Sequence, residues 1–355
     1  MTLWTLLQLA AGLILLVAGA EALVRGASRL AALMGISPLV IGLTVVAIGT
    51  SSPELAVSIQ ATLGGQGEIA VGNVLGSNIF NVLLILGLSA LIVPLTVSSQ
   101  LIRWDVPVMI GVSLVVWGMA ADRMLARWEG LVLLGGIAVY LALLYRLSRG
   151  TAAGDETGSG APPDPGRRPW LINPVLVAVG LALLVLGSRW LVAGAVAVAR
   201  WFDLSELIIG LTIVAAGTSL PEVVTSIVAS LKGERDIAVG NVVGSNIFNL
   251  LAVLGGAVAI APGGIAVSDA AVGFDFPVMA GVALVCLPIF FTGMRISRPE
   301  GLLFLGYYLA YLVYLFLAAG HHDALTGFTR AMAFVVVPLT LVGLGAGLWR
   351  GRRAG

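Results

Sequence analysis

Two glutamates, Glu54 and Glu222, stand inside long apolar segments, each closing a nearly identical hexapeptide: GTSSPE from Gly49 and GTSLPE from Gly217. An ionised carboxylate at the centre of a bilayer costs ~2.5 to 3.5 kcal/mol on insertion scales, so finding it twice argues for a ligand role over a structural one. Oxygens gather around each glutamate at helical spacing. Thr44, Ala47, Ser51, Glu54 and Ser58 share a face, with Thr50 beside them; Thr212, Ala215, Ser219, Glu222, Ser226 and Thr218 repeat the pattern. Pro53 has no N–H and its ring clashes one turn back, so the span should kink or break between Gly49 and Pro53 and release carbonyl oxygens. In lipid such oxygens need protein partners or an ion.

The next span carries GNVLGSNIFN from Gly72 to Asn81, repeated as GNVVGSNIFN from Gly240 to Asn249. Asn73, Ser77 and Asn81 recur every four residues and lie on one face. Gly72 and Gly76 form a small-xxx-small pair that admits a neighbouring helix, expected to be the kinked one before it. Asn73, Asn78, Asn241 and Asn246 read equally well as ligands or as hydrogen-bonding residues between helices. Hydroxyls, amide oxygens, carbonyls and two carboxylates, without sulfur or imidazole, suit hard cations: calcium, sodium, magnesium or manganese.

The elements that must position these groups follow from an internal duplication. Ile41–Leu88 and Ile209–Gly256 align without a gap, identical at 31 of 48 positions. A 355-residue chain that is 59% hydrophobic and 10% charged, with mean hydropathy +1.05, belongs in a membrane. Apolar runs of roughly 20 residues place spans at 3–24, 37–63, 68–93, 104–121 and 128–147, then 171–194, 205–231, 236–260, 274–292 and 300–319. A further run, Gly327 to Trp349, has no counterpart and reads as an appended eleventh helix. The expected fold is therefore an all-α polytopic membrane protein. Its parts are a five-helix repeat (1–149), a Gly/Pro/Asp-rich cytoplasmic linker (150–169), a second five-helix repeat (170–320), and an extra helix with a basic tail (321–355).

Lys and Arg cluster on one set of loops, including Arg25, Arg29, Lys232, Arg298 and Arg353, which puts the N-terminus outside and the C-terminus in the cytoplasm of a cell (inner) membrane. Five spans per repeat then make the second copy enter from the opposite side, an inverted repeat of the kind secondary transporters build around a midplane site. The apolar N-terminus lacks a basic leader region and reads as a retained span.

Other readings are weaker. The net charge of +1 gives no reason to expect nucleic acid, no protein partner is evident, and single Cys286 excludes an intrachain disulfide. No GxSxG, HExxH or aspartate dyad suggests an enzyme, so no catalytic residue or cofactor is assigned. A passive channel would need a ring of subunits, whereas this chain supplies both halves of its own site. Asp105 and Asp275, each before a proline at the start of a span, read as helix caps. Glu21 and Arg189, at equivalent positions of the repeats, read as snorkelling or ion-paired residues. His321 and His322 are adjacent and share no helical face, so no metal site is expected there.

The paired motifs GTSSPE/GNVLGSNIFN and GTSLPE/GNVVGSNIFN resemble the two alpha-repeats of the cation/calcium exchanger superfamily, most of all its prokaryotic sodium/calcium exchangers. The resemblance covers nearly the whole chain and implies ten helices in two inverted repeats. It implies that Glu54 and Glu222, with Thr50 and Thr218, cage calcium. Sodium would use the same carboxylates with the Ala47 and Ala215 carbonyls, Ser51, Ser219, Ser77 and Ser245, and Asn81 and Asn249 at the centre. The long first and sixth spans would slide as the gate. Some members of the superfamily carry Asp at one central Asn position, whereas both are Asn here, leaving sodium stoichiometry and potassium dependence open. The linker is too short for a calcium-sensing domain, because independent domains rarely fall below ~50 residues. The expected activity is secondary antiport of calcium against sodium by alternating access; two carboxylates facing one cavity leave calcium/proton exchange as the alternative.

Overall fold

The computed structural model describes residues 3–152, 167–202, 215–320, 322–343 and 345. It is all-helical apart from four two-residue strands. The first half consists of α1 (Leu3–Met34), α2 (Pro38–Thr50), α3 (Ser52–Leu63), α4 (Gly67–Ile92), α5 (Leu101–Asp122) and α6 (Arg127–Ala152). The second half consists of α7 (Arg167–Trp201), α8 (Leu220–Leu231), α9 (Arg235–Ile260), α10 (Ala271–Phe291) and α11 (Arg298–Ala319), followed by α12 (Ala324–Gly343). Among the described residues nine helices are long and apolar enough to cross a membrane, and α2 with α3 makes a tenth, bent span. Thr212 and the start of the expected 205–231 span lie outside the described residues, as do most of the linker, His321 and the basic tail.

The first span is longer than its apolar stretch predicts. Nothing between Glu21 and Met34 breaks a helix, so α1 continues to Gly35, whose φ of +64° suits glycine. There Ile36 N–H donates to Ala31 O at 3.1 Å, as in a Schellman stop.

Helices α1 and α7 pack along their whole lengths through a glycine seam. A Cβ on Gly12 would sit 2.6 Å from Leu191 N, on Gly19 2.8 Å from Gly180 O, and on Gly26 2.9 Å from Asn173 O. The contacts descend along α7 as they ascend along α1, so the two helices are antiparallel. Since they are equivalent first helices of the two repeats, the repeats are inverted. The strands obey the same two-fold relation: Leu95–Thr96 pairs with Arg295–Ile296, and Met124–Leu125 with Ile265–Ala266, each antiparallel and between repeats.

At the centre lie α4 and α9, the most enclosed of the spanning helices. Outer helices instead turn Leu131, Val139, Leu302 and Leu309 outward, as apolar faces against lipid tails do. The expected close approach at Gly72 and Gly76 is not seen among the described residues, where nothing comes within 4 Å of a Cβ placed on either; their counterparts Gly240 and Gly244 do admit a close neighbour, α2 of the other repeat, a Cβ on Gly240 meeting Leu39 O at 3.0 Å and one on Gly244 meeting Leu43 O at 2.7 Å. The preceding helix of the same repeat is thus not the close partner at either pair.

Asp105 and Asp275 are not caps. A π-helical turn, Leu101–Asp105, extends α5 upstream, leaving Asp105 helical and without a capping bond; Ala271–Asp275 does the same in α10. Asp105 instead accepts from Tyr140 Oη at 3.0 Å and Gln100 Nε2 at 3.3 Å, and Asp275 accepts from Tyr311 Oη at 3.0 Å. Glu21 forms ion pairs with Arg25 at 2.7 Å and Lys232 at 2.8 Å. Helix α12 lies on the outside, and Tyr307 Oη donates to Thr340 Oγ1 at 2.7 Å to join it to α11. An apolar cavity of about 510 Å³ separates α12 from α10, and among the described residues no carboxylate lines it.

Candidate cation site

The break in the second span places each glutamate at a helix start. Between Pro38–Thr50 and Ser52–Leu63 the chain bends by 43°, pivoting on Ser51 at φ −81°, ψ 7°. Ser219 repeats the conformation at φ −89°, ψ 7°. Glu54 and Glu222 therefore sit in the first turns of α3 and α8, where the unpaired N–H groups and the helix dipole favour negative charge. The proline in each break deprives a carbonyl of its donor. In the second copy that carbonyl, Gly217 O, is taken by Ser188 Oγ at 2.5 Å. Ala47 O keeps a helical bond from Ser51 N at 3.0 Å, with Thr50 Oγ1 at 3.4 Å, so it is not wholly freed.

The carboxylates are satisfied across the repeats, not within them. Ser51 Oγ donates to Glu222 Oε1 at 3.0 Å, and Ser219 Oγ to Glu54 Oε1 at 2.8 Å. Ser219 Oγ is also 3.2 Å from Ser77 Oγ, which ties α4 to the pair. Both glutamates are 1% exposed, and among the described residues no Lys or Arg pairs with either. Two buried carboxylates without a protein counter-charge can be neutralised by a bound cation or by protons.

Behind the glutamates, asparagines hold the frame. Asn73 Nδ2 donates to Ser58 Oγ at 2.9 Å and Glu54 O at 3.2 Å, bracing α3 against α4. Asn241 Nδ2 donates to Ser226 Oγ at 3.0 Å, while Asn241 Oδ1 accepts from Thr50 Oγ1 at 3.1 Å. One turn beyond Ser77 and Ser245, π-helical turns open at Asn81 and Asn249. There Asn81 Nδ2 donates to Asn246 Oδ1 and Asn249 Nδ2 to Asn78 Oδ1, both at 3.1 Å.

What remains is a set of buried oxygens without a protein donor: Glu54 Oε2, Glu222 Oε2, Thr218 Oγ1, Ser245 Oγ, Asn81 Oδ1 and Asn249 Oδ1. An unsatisfied buried polar atom costs about 1–3 kcal/mol, so these two carboxylate oxygens and four further oxygens of the paired motifs would each gain from a bound partner. Oxygen donors alone fit hard cations.

The bonds above hold the expected residues in separate groups: Glu222 with Ser51, Glu54 with Ser219 and Ser77, Thr50 with Asn241, Asn81 with Asn246 and Asn249 with Asn78, while Thr218 and Ser245 carry buried oxygens without a partner among the described residues. Ala215 starts the described backbone of its segment. Of the asparagines left open by the sequence, Asn78 and Asn246 orient the central pair, and Asn73 and Asn241 brace the carboxylate helices. Ser188 was not anticipated; its only signal was a hydroxyl one residue before Arg189 on an apolar helix.

Comparison with known proteins gives one family. A model described as "Sodium/calcium exchanger protein" matches residues 4–146 and 172–317. The chain is 44% identical over 319 residues to CaxA of Alkalimonas amylolytica, covering 86% of this chain and 96% of that protein. It is 32% identical over 344 residues to the sodium/calcium exchanger MaX1 of Methanosarcina acetivorans, covering 87% and 98%. A solved structure of the sodium-calcium exchanger NCX_Mj, soaked with sodium and strontium, superposes with a TM-score of 0.75 at 31% identity over 88% of this chain and 99% of that one.

Proposed function

This chain belongs to the sodium/calcium exchanger family of cation antiporters, and we propose that it exchanges calcium for sodium at the Glu54/Glu222 pair. The observation that carries the proposal is the pair of buried carboxylates, each with one oxygen unpartnered, together with four further unpartnered oxygens of the paired motifs: Thr218 Oγ1, Ser245 Oγ, Asn81 Oδ1 and Asn249 Oδ1. Calcium takes six to eight oxygen ligands. Glu54, Glu222, Thr50 and Thr218 hold it, and its double charge cancels that of the carboxylates. Sodium uses the same carboxylates together with the Ala47 and Ala215 carbonyls, Ser51, Ser219, Ser77, Ser245, Asn81 and Asn249. Because the glutamates serve both ions, full occupancy by one excludes the other, and that competition makes exchange obligatory.

The antiparallel α1/α7 pair, packed along a seam of glycines, is suited to slide across the site and open it to either side in turn. Residues 1–149 and 170–320 act as the two inverted repeats around a cytoplasmic linker, 150–169, with 321–355 as an appended span and tail. The Lys/Arg bias supports a cell-membrane protein with its N-terminus outside and C-terminus in the cytoplasm. Calcium/proton exchange at the same carboxylates would leave the orphan hydroxyl and carboxamide oxygens without a role. A binding titration tests the proposal: sodium should displace calcium from the purified protein competitively, and Glu222→Gln should weaken calcium binding by ~100-fold or more. Calcium binding indifferent to sodium would overturn it.

A further inference from the structure

A carboxamide is almost symmetrical in shape, yet one end carries an acceptor and the other two donors. Next to a cation this difference decides between attraction and repulsion. Asn81 and Asn249 each leave Oδ1, not Nδ2, without a protein partner. Their neighbours set that choice, since Asn81 Nδ2 is spent on Asn246 Oδ1 and Asn249 Nδ2 on Asn78 Oδ1. The question then passes one residue outward, to what keeps Asn246 and Asn78 the right way round.

Each turns its Nδ2 to a methionine of the opposite repeat. Asn246 Nδ2 lies 3.5 Å from Met109 Sδ, and Asn78 Nδ2 lies 3.7 Å from Met279 Sδ. Met109 is 0% and Met279 2% exposed. A thioether accepts weakly and cannot donate. With Asn246 reversed, its oxygen would face the sulfur, acceptor against acceptor, and its N–H groups would face Asn81. Asn81 would have to reverse in turn and point N–H at the ion. The sulfurs themselves are fixed from behind: Asp105 and Asp275, one turn before Met109 and Met279, accept the hydroxyls of Tyr140 and Tyr311 and pin α5 to α6 and α10 to α11.

We propose that Met109 and Met279 are positioning residues for sodium, each setting the orientation of a carboxamide relay so that Asn81 and Asn249 present oxygen to the ion. The inference rests on the reading of Asn81 and Asn249 as sodium ligands. The two relays are unequal. Asn78 Nδ2 also donates to Asn246 O at 3.3 Å, so its orientation is held twice, whereas among the described residues Asn246 Nδ2 has Met109 alone. Loss of Met109 is therefore the more damaging.

The test compares half-saturating sodium and calcium in proteoliposomes for the parent, Met109→Leu, Met109→Gln, Met279→Leu and Asn81→Ala, with melting curves of each in detergent. Leucine keeps the bulk but cannot accept. Met109→Leu should raise half-saturating sodium about 10-fold, as losing an orienting outer partner does at metal sites, and leave half-saturating calcium near the parental value. Met279→Leu should shift sodium less. Met109→Gln supplies an acceptor oxygen and should recover most of the loss. Sodium and calcium shifting together, or equal effects of Leu and Gln, would mean mere packing and overturn the inference. No sodium shift in Met109→Leu alongside a large one in Asn81→Ala would overturn the relay and spare the ligand assignment. No shift in Asn81→Ala would overturn both. Should Met109→Leu fail to fold, Met279→Leu carries the same test on Asn249, and an unchanged sodium requirement there overturns the inference.

Discussion

Replacing Glu222 by glutamine changes the site at one atom that matters. Ser51 Oγ donates to Glu222 Oε1, and a glutamine oxygen accepts that bond unchanged. The other oxygen, Oε2, has no protein partner, and becomes an NH2 pointing where the cation would lie. The fold is thus preserved while one of two negative charges is removed and a ligand becomes a donor. Two unit charges ~4 Å apart interact by ~4 kcal/mol at an effective dielectric of ~20, and a divalent ion doubles this. If desolvation cancels about two-thirds of it, roughly 3 kcal/mol remains, which is ~100-fold or more in calcium affinity. Sodium, with half the charge, should lose about half as much free energy. The assay is calcium uptake into sodium-loaded proteoliposomes, with gel filtration and a melting curve to show an intact protein. Glu54→Gln should behave alike, because Ser219 Oγ and the orphan Oε2 repeat the geometry. Robust uptake by either variant would place the calcium site elsewhere.

Other consequences follow from the same geometry. One calcium cancels the two carboxylates, whereas more than two sodium ions leave the site positive, so the membrane potential should act on the sodium-loaded state at about 2.3 kcal/mol per charge per 100 mV; calcium uptake into sodium-loaded vesicles should quicken with a positive interior, and equal rates at both polarities would indicate two-for-one exchange. Gly19→Val would drive a side chain into Gly180 O and Leu184 N; overpacking of this kind costs about 1–3 kcal/mol, and both melting temperature and transport rate should fall, unchanged values counting against the seam. Tyr140→Phe removes a donor from buried Asp105 and should destabilise by about 1–3 kcal/mol in a thermal melt, whereas a surface role would give no change. Reporters at Asp155 and after Gly355 should both face the cytoplasm, and an external C-terminal reporter would mean that α12 does not span or that the orientation is reversed.

The carboxylates were legible because the chain spells them twice in segments otherwise too apolar to hold a charge. The duplication also made the helix breaks readable, since Pro53 and Pro221 act through local sterics alone. What escaped depends on how the repeats dock. That Ser51 serves Glu222 rather than neighbouring Glu54, or that Gly244 receives α2 of the other repeat, follows from interlocking of segments about 170 to 200 positions apart, which no local rule contains. Asp105 misled for the opposite reason: the capping rule is local, but the π-helical turn before it removed the helix start the rule requires. Met109 and Met279 look like core filler in sequence, and only the position of a carboxamide nitrogen gives them another role. The glycines at 12, 19 and 26 and at 180, 187 and 194 recur every seven residues, a pattern visible in the chain whose meaning appeared once α1 and α7 lay side by side.

The central claim, that sodium and calcium alternate on one pair of carboxylates, is tested most directly by calcium uptake into proteoliposomes under two driving conditions. An outward sodium gradient at equal pH should drive uptake, and a pH gradient without sodium should not. Uptake driven by the pH gradient alone, and indifferent to sodium, would contradict the account and assign the same glutamates to protons.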